Sequence, residues 1–283
     1  MKWLALLLIS FEALGQGLPG ERVEFGGIFG YLYRPEASGK APAVVIVHGS
    51  SGVRVVREGF WAGELSQAGM AALVTDSFTP RGVSTTIEDQ SQVAQAQMVR
   101  DAYAALAYLS ALPYVDDARV AVMGFSKGGG VALLSSDRRT RPDARGFAAH
   151  IPLYPSCTTQ YRNPQTTAPL LILIGAADNY TGVKTCAQYA ERMRAAGGSV
   201  QLKLYPGAHH GFDADTRNYR PFYSAQAQNF RDCVVYLEDD GRAVSAIPQR
   251  ECMKLGATIG GDYGAKMQAL QDVKAFLKTT LFH

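Results

Sequence analysis

Runs rich in β-branched and other apolar residues recur along this chain, each parted from the next by a polar or helically spaced segment. Ala43 to Val47, Ala71 to Thr75, Arg119 to Met123, Gly146 to Leu153, Ala168 to Ile174 and Val200 to Tyr205 read as strands. Most show no polar alternation, so both their faces must be buried, as in a parallel sheet covered by helices on both sides. Helical spacing occupies Arg57 to Ala68, Glu88 to Ser110, Val183 to Ala196 and Gly264 to Leu281. Strand, helix, strand repeats of this kind imply right-handed crossovers. The expected class is α/β: one domain, a mostly parallel sheet, helices on both faces, and ligands at the carboxyl ends of the strands.

Residues 22 to 33 form a predicted antiparallel hairpin around Gly26 and Gly27, ended by Arg34-Pro35 and a turn at Ser38, Gly39 and Pro42. Residues 212 to 260 break the alternation. They hold a polar, aromatic stretch from Asp213 to Phe230, then a predicted hairpin of Cys233 to Leu237 with Ala243 to Ile247, turning at Asp239-Asp240-Gly241. This segment reads as an insertion in the single domain.

Composition narrows the partners. A chain of 283 residues with 47% hydrophobic content can bury a sizeable core. Its net charge of +3 is spread out, with no block of five or six basic residues, so neither nucleic acid nor an anionic membrane surface is implied. Lys2, the apolar run Trp3 to Phe11 and the small-residue exit Ala13-Leu14-Gly15 read as an export signal spanning residues 1 to 15, leaving 16 to 283 as the mature domain. No later run is long and apolar enough for a membrane span. Cysteines 157, 186, 233 and 252 are even in number, which in an exported protein favours two disulfides. Three connectivities are open; 157 with 186 and 233 with 252 is preferred because each closes a short loop. No metal-binding Cys/His spacing is present.

The strand at Arg119 to Met123 leads into Gly124-Phe125-Ser126-Lys127-Gly128. Gly-x-Ser-x-Gly between a strand and a helix is the pattern of a nucleophile elbow, whose tight turn excludes flanking β-carbons. A serine hydroxyl needs a base to take its proton, and the base needs a third group to orient it. Asp178 follows one predicted strand and His210 follows another, giving the order Ser, Asp, His. Asp213 and Asp215 are rival acids, and Asp178 could instead serve as a turn or cap aspartate. His209 is a rival base; His210 is preferred because Gly211 after it permits a close loop. His48 is read as bracing its own loop, His150 as a core residue and His283 as terminal. The oxyanion needs two amide donors, assigned to Lys127 and to Ser50 in preference to Ser51. The Lys127 side chain is expected to face solvent.

These motifs, His48-Gly49-Ser50-Ser51-Gly52, Gly124 to Gly129, Gly175 with Asp178, and Tyr205 to Phe212, together resemble the dienelactone hydrolase family of α/β-hydrolases. The resemblance covers about residues 22 to 212 and the final helix. It implies an eight-stranded α/β-hydrolase sheet, no cofactor, and hydrolysis of a small-molecule ester or lactone through an acyl-enzyme. Arg81 resembles the position at which the family holds a substrate carboxylate; a surface or ion-paired arginine is the alternative. The family's namesakes use a cysteine nucleophile and a glutamate in the oxyanion loop, where this chain has Ser126 and Gly49. The expectation is therefore an exported serine esterase. A peptidase or acyltransferase on the same triad, and a non-catalytic binding scaffold, are the other readings.

Overall fold

The computed structural model describes residues 18–36, 39–143, 145–214, 220–245 and 249–282. The stretch read as an export signal, and the residues Ser38, Asp215, Ile247 and His283, lie outside the described residues.

The chain opens with β1 (Glu21–Phe25), β2 (Ile28–Tyr33) and β3 (Ala41–Val47), followed by a π-helical turn at Val55–Gly59 and helix α1 (Phe60–Gln67). Next come β4 (Ala71–Asp76), α2 (Gln95–Ser110), β5 (Val115–Phe125), α3 (Lys127–Leu134), β6 (Ala149–Leu153) and the short β7 (Thr159–Tyr161). β8 (Leu170–Gly175), α4 (Val183–Ala195) and β9 (Val200–Tyr205) complete the alternation. The remainder holds β10 (Phe222–Asn229), β11 (Val235–Leu237), β12 (Ala243–Ser245), α5 (Gln249–Cys252), β13 (Lys254–Ile259) and α6 (Tyr263–Leu281).

Eight strands form the main sheet in the order β1-β2-β4-β3-β5-β6-β8-β9. β1, β2 and β4 pair antiparallel, and every pairing from β4 through β3 to β9 is parallel. The expected α/β-hydrolase sheet is thus present, edge hairpin included. Strand β3 shows why its sequence has no polar face. Val44 and Ile46 pack with Trp61 and Leu65 of α1 and with Val273 and Leu277 of α6. Ala43, Val45 and Val47 pack on the other side with Met98 and Leu109 of α2 and Val131 of α3. Helix α4 covers that second face further along, over Leu170, Ile172 and Ile174.

Helix α2 begins at Gln95, seven residues later than the spacing predicted. The segment before it is drawn onto loop backbone instead: Thr86 N–H and Thr85 Oγ1 donate to Ser50 O, at 2.8 and 3.0 Å. The predicted hairpin forms as β11 and β12, but it does not stand alone, because β11 also pairs parallel with β7. The polar, aromatic stretch from Asp213 to Phe230 contains β10, which pairs antiparallel with β13. Its partner follows the hairpin in sequence, so no local turn signal announced the pairing.

Both preferred disulfides are present, Cys157–Cys186 and Cys233–Cys252. The first closes a separation of 29 residues and ties the start of α4 to the loop after β6. Replacing both Cys157 and Cys186 by serine is expected to lower unfolding free energy by about 3 kcal/mol, on loop-closure grounds; the shift in guanidinium midpoint at constant slope measures it.

Candidate active site

Ser126 sits between β5 and α3 with φ 52° and ψ −110°, outside the region that side chains favour. The surrounding backbone imposes this turn. A β-carbon on Gly124 would lie 2.1 Å from the Gly128 carbonyl oxygen, and one on Gly128 would lie 2.2 Å from the Val47 carbonyl oxygen. β5, the turn and β3 are therefore packed backbone against backbone. The Ser126 N–H donates to Leu153 O at 3.0 Å, which pins the turn to β6 as well.

Asp178 and His210 follow β8 and β9, so all three residues stand at the carboxyl ends of parallel strands. Ser126 Oγ–H points to His210 Nε2 at 3.0 Å, and His210 Nδ1–H donates to Asp178 Oδ2 at 2.9 Å. Asp178 Oδ1 accepts from the N–H groups of Tyr180 and Thr181 at 2.8 and 3.0 Å, as in a turn aspartate, while Oδ2 accepts from His210. Burial pushes the Asp178 carboxyl up, but the His210 charge and hydrogen bond, with the Thr181 and Tyr180 amides, outweigh it and hold it below the usual range. Asp178 is thus an anion suited to hold an imidazole and balance its charge.

Two rings fix the imidazole. Tyr154 and Tyr180 meet His210 edge-on, with centroids 4.8 and 4.7 Å away. Tyr154 has φ 33° and lies under the site, where its hydroxyl donates to Asp213. Asp213 is fully buried and also accepts from Trp61 Nε1 at 2.8 Å. It is a floor group and not a partner of the histidine. Burial raises its carboxyl against the opposing effects of Arg57, Tyr154 and Trp61. Arg57 pairs with buried Glu58 at 2.9 Å and lies 5.4 Å from the Phe125 ring centroid. The sequence concealed this network, since Trp61 and Asp213 are 152 positions apart.

His48, His150 and His209 have other work. His48 Nδ1–H donates to Gly49 O at 2.8 Å and Nε2 accepts from Ser77 N–H at 3.1 Å, bracing the loop after β3. His150 is buried against the Ala132 carbonyl, and burial lowers it to about 3. His209 reaches Ala177 O at 3.1 Å.

Arg81 makes a two-point ion pair with Asp101 at 2.8 and 2.9 Å and donates to Ser77 O. It is not among the residues lining the cavity beside the elbow, which is the ion-paired alternative left open by the sequence. The expectation that the Lys127 side chain faces solvent is overturned. It is 6% exposed, and its ammonium donates to Gln90 O at 2.8 Å and Thr86 Oγ1 at 3.3 Å. The reason is the loop before α2, which folds over the elbow and supplies these acceptors. Ser50 and Lys127 both line the cavity of about 390 Å³, as do Tyr180 and Thr181.

The segment after β9 grips the loops of Asp178 and His210 from outside. Arg231 Nη1 donates to Asn179 O at 2.8 Å, and Thr258 N–H donates to Asn179 Oδ1 at 2.8 Å. Gly260 N–H donates to His210 O at 3.0 Å. The backbone beside Asp178 and at His210 is thus tied to Arg231, Thr258 and Gly260. Among the described residues, no group of three His, Cys, Asp or Glu side chains is placed to hold a metal ion, and no helix is long and apolar enough to cross a membrane.

A twisted, mostly parallel sheet with Ser, Asp and His at the ends of three of its strands defines an α/β-hydrolase. The sequence profile described as the Dienelactone hydrolase family matches residues 28–241. The chain belongs to that family and is a hydrolase of ester bonds. It is similar to a Bradyrhizobium protein named "Probable 2-oxo-3-(5-oxofuran-2-ylidene)propanoate lactonase", at 28% identity over 73% of this chain and 87% of the relative. It is also similar to a Methylorubrum extorquens protein named "Putative carboxymethylenebutenolidase", at 29% identity over 71% and 72% of the two chains. Among solved structures, a dienelactone hydrolase-like promiscuous phosphotriesterase from metagenomic libraries shares the fold, with TM-score 0.65 and 20% identity over 92% of this chain and 98% of that one.

Two outcomes are expected from this geometry. Arg231→Ala loosens the Asp178 loop and lowers kcat for 4-nitrophenyl acetate about tenfold, with the far-ultraviolet circular dichroism unchanged. Burial lowers Lys127 from its ordinary value to about 8, opposed by Asp89. Between about pH 8 and the unfolded value the unfolded chain binds more protons, so stability conferred at this position rises with pH. Denaturant titrations should show the wild type gaining on Lys127→Met as pH rises through that window.

Proposed function

We propose that this chain is an exported serine hydrolase that cleaves carboxylic esters or lactones through an acyl-enzyme. The observation that carries the reading is the continuous relay from Ser126 Oγ through His210 to Asp178, at 3.0 and 2.9 Å. In it, Ser126 attacks the ester carbonyl as His210 Nε2 takes the hydroxyl proton. Asp178 keeps the other imidazole proton on Nδ1 and balances the imidazolium charge.

The tetrahedral oxyanion is received by the backbone N–H groups of Lys127 and Ser50. Lys127 opens α3, where first-turn amides have no intrahelical acceptor, and both residues line the same cavity. Collapse expels the alcohol, or the ring oxygen of a lactone, which takes the proton from His210. Water then enters, loses a proton to His210, and releases the acid and free Ser126. The named lactonase and carboxymethylenebutenolidase relatives agree with a lactone or ester substrate. Ser126 in the nucleophile's position separates the chain from the thiol chemistry of the family's namesakes.

Export is supported by the apolar run at residues 3 to 11 and by the two disulfides, which persist in oxidising compartments. A fluorophosphonate probe is expected to label Ser126 alone, with label lost in Ser126→Ala and in enzyme pre-incubated with a slow-turnover ester. Asp178→Asn is expected to cut kcat about a thousandfold or more. Intact-mass spectrometry after labelling decides the matter: an unlabelled wild type, or full turnover in Ser126→Ala, would sink this reading.

A further inference from the structure

The Asp178 carboxylate is held by more than the histidine. Its side chain is fully buried. Oδ1 takes the N–H groups of Tyr180 and Thr181, while Oδ2 takes His210 Nδ1–H at 2.9 Å and the Thr181 hydroxyl at 2.8 Å. An ionised carboxylate offers about four acceptor positions, so this one is fully occupied. Apart from His210, the donor that belongs to a side chain is Thr181 Oγ1, and it can be removed without altering the backbone.

The direction of that hydroxyl bond follows from its neighbours. Thr181 Oγ1 also lies 3.4 Å from His210 Nδ1. In the relay, Nε2 accepts from the Ser126 hydroxyl, so Nδ1 carries the ring proton and has no lone pair to offer. An ionised carboxylate can only accept. The hydroxyl hydrogen therefore goes to Oδ2, the same oxygen that holds the imidazole. The chain fixes Thr181 there. It ends the turn that begins at Asp178, and Gly182 after it has φ 86°, where a β-carbon would lie 2.7 Å from Arg231 O, just before α4 starts at Val183.

Two donors on one oxygen compete for its charge. The hydroxyl steadies the carboxylate as an anion, and it takes up density that an imidazolium would otherwise receive. The other titratable side chains facing the imidazole are Tyr154 and Tyr180, which meet it edge-on. Burial pushes both phenols up, so they keep their protons through the acidic and neutral range. His209 is engaged with Ala177 O instead.

We propose that Thr181 is a positioning residue of the triad: its hydroxyl fixes Asp178 Oδ2 against His210 and tempers how tightly the carboxylate holds the imidazolium. It acts through Asp178, and the inference rests on the serine hydrolase reading above.

The test uses the disulfide-intact enzyme, 4-nitrophenyl acetate and pH profiles of kcat and kcat/KM. Thr181→Val removes the hydroxyl and keeps the branched shape and the backbone amide. It is expected to lower kcat about tenfold and to leave KM within about twofold. The acidic limb of kcat/KM is expected to move to higher pH by about half a unit, because Oδ2 then serves the imidazolium alone. Thr181→Ser, which keeps the hydroxyl, is expected to recover both the rate and the limb. A valine variant that matches the wild type overturns the inference, and so does a fall in kcat with an unmoved limb, since shape alone would then explain the loss. Equal losses in folded Thr181→Ser overturn it too. If Thr181→Val does not fold, Thr181→Ala carries the same expectations, and the serine variant decides if neither folds. The wild type separates the two levels: acetate turnover with labelled Ser126 and indifferent Thr181 variants fails only this inference, whereas no turnover and no label fails the hydrolase reading and this inference with it.

Discussion

The turn at Ser126 depends on backbone meeting backbone. Gly124 lies against the Gly128 carbonyl, Gly128 lies against Val47, and Leu153 accepts the Ser126 N–H. Three adjacent strands thus hold one residue at φ 52°, a conformation that a free chain would abandon. With the turn fixed, the serine oxygen is presented at the sheet's carboxyl edge, and α3 starts with its free amides beside it. Neither consequence needs a flexible side chain. The position of Ser126 Oγ is set by the rigid centre of the sheet, and Asp178 and His210 have to be brought to it.

Charge below the site is arranged to stay put. Glu58 and Asp213 are both buried, and the Arg57 guanidinium lies among them. The Asp213 carboxyl has both oxygens occupied, by Trp61 Nε1–H and the Tyr154 hydroxyl, and Tyr154 in turn lays its ring edge against His210. Such a group strengthens the fold only while its hydrogen bonds persist. The imidazole consequently rests on a satisfied polar floor, and the same floor holds Tyr154 in its unfavourable backbone conformation.

What was legible in the sequence followed from local signals. β3, β4, β5 and β8 are apolar on both faces and could be placed from their residues, as could the elbow and the order of Ser126, Asp178 and His210. The glycine spacing around Ser126 has a steric meaning that needs no knowledge of distant residues. Lys127 is misplaced by sequence because one acceptor, Gln90 O, lies in a stretch whose spacing reads as helix, and the other, Thr86 Oγ1, in the loop just before it. β10 escaped notice because its partner lies beyond the hairpin and the Cys233–Cys252 bridge. The clamp of Arg231 on Asn179 joins side chain to backbone across 52 positions, for which no sequence period exists.

The grip of Arg231, Thr258 and Gly260 on the two loops has a temporal side. Synthesis runs from the amino terminus, so the sheet strands and the serine turn are all made before Thr258 and Gly260 emerge. Until those amides are made, the loops of Asp178 and His210 lack the hydrogen bonds to Asn179 Oδ1 and His210 O. The ties of Thr258 and Gly260 to Asn179 and His210 are thus among the last to become available during synthesis.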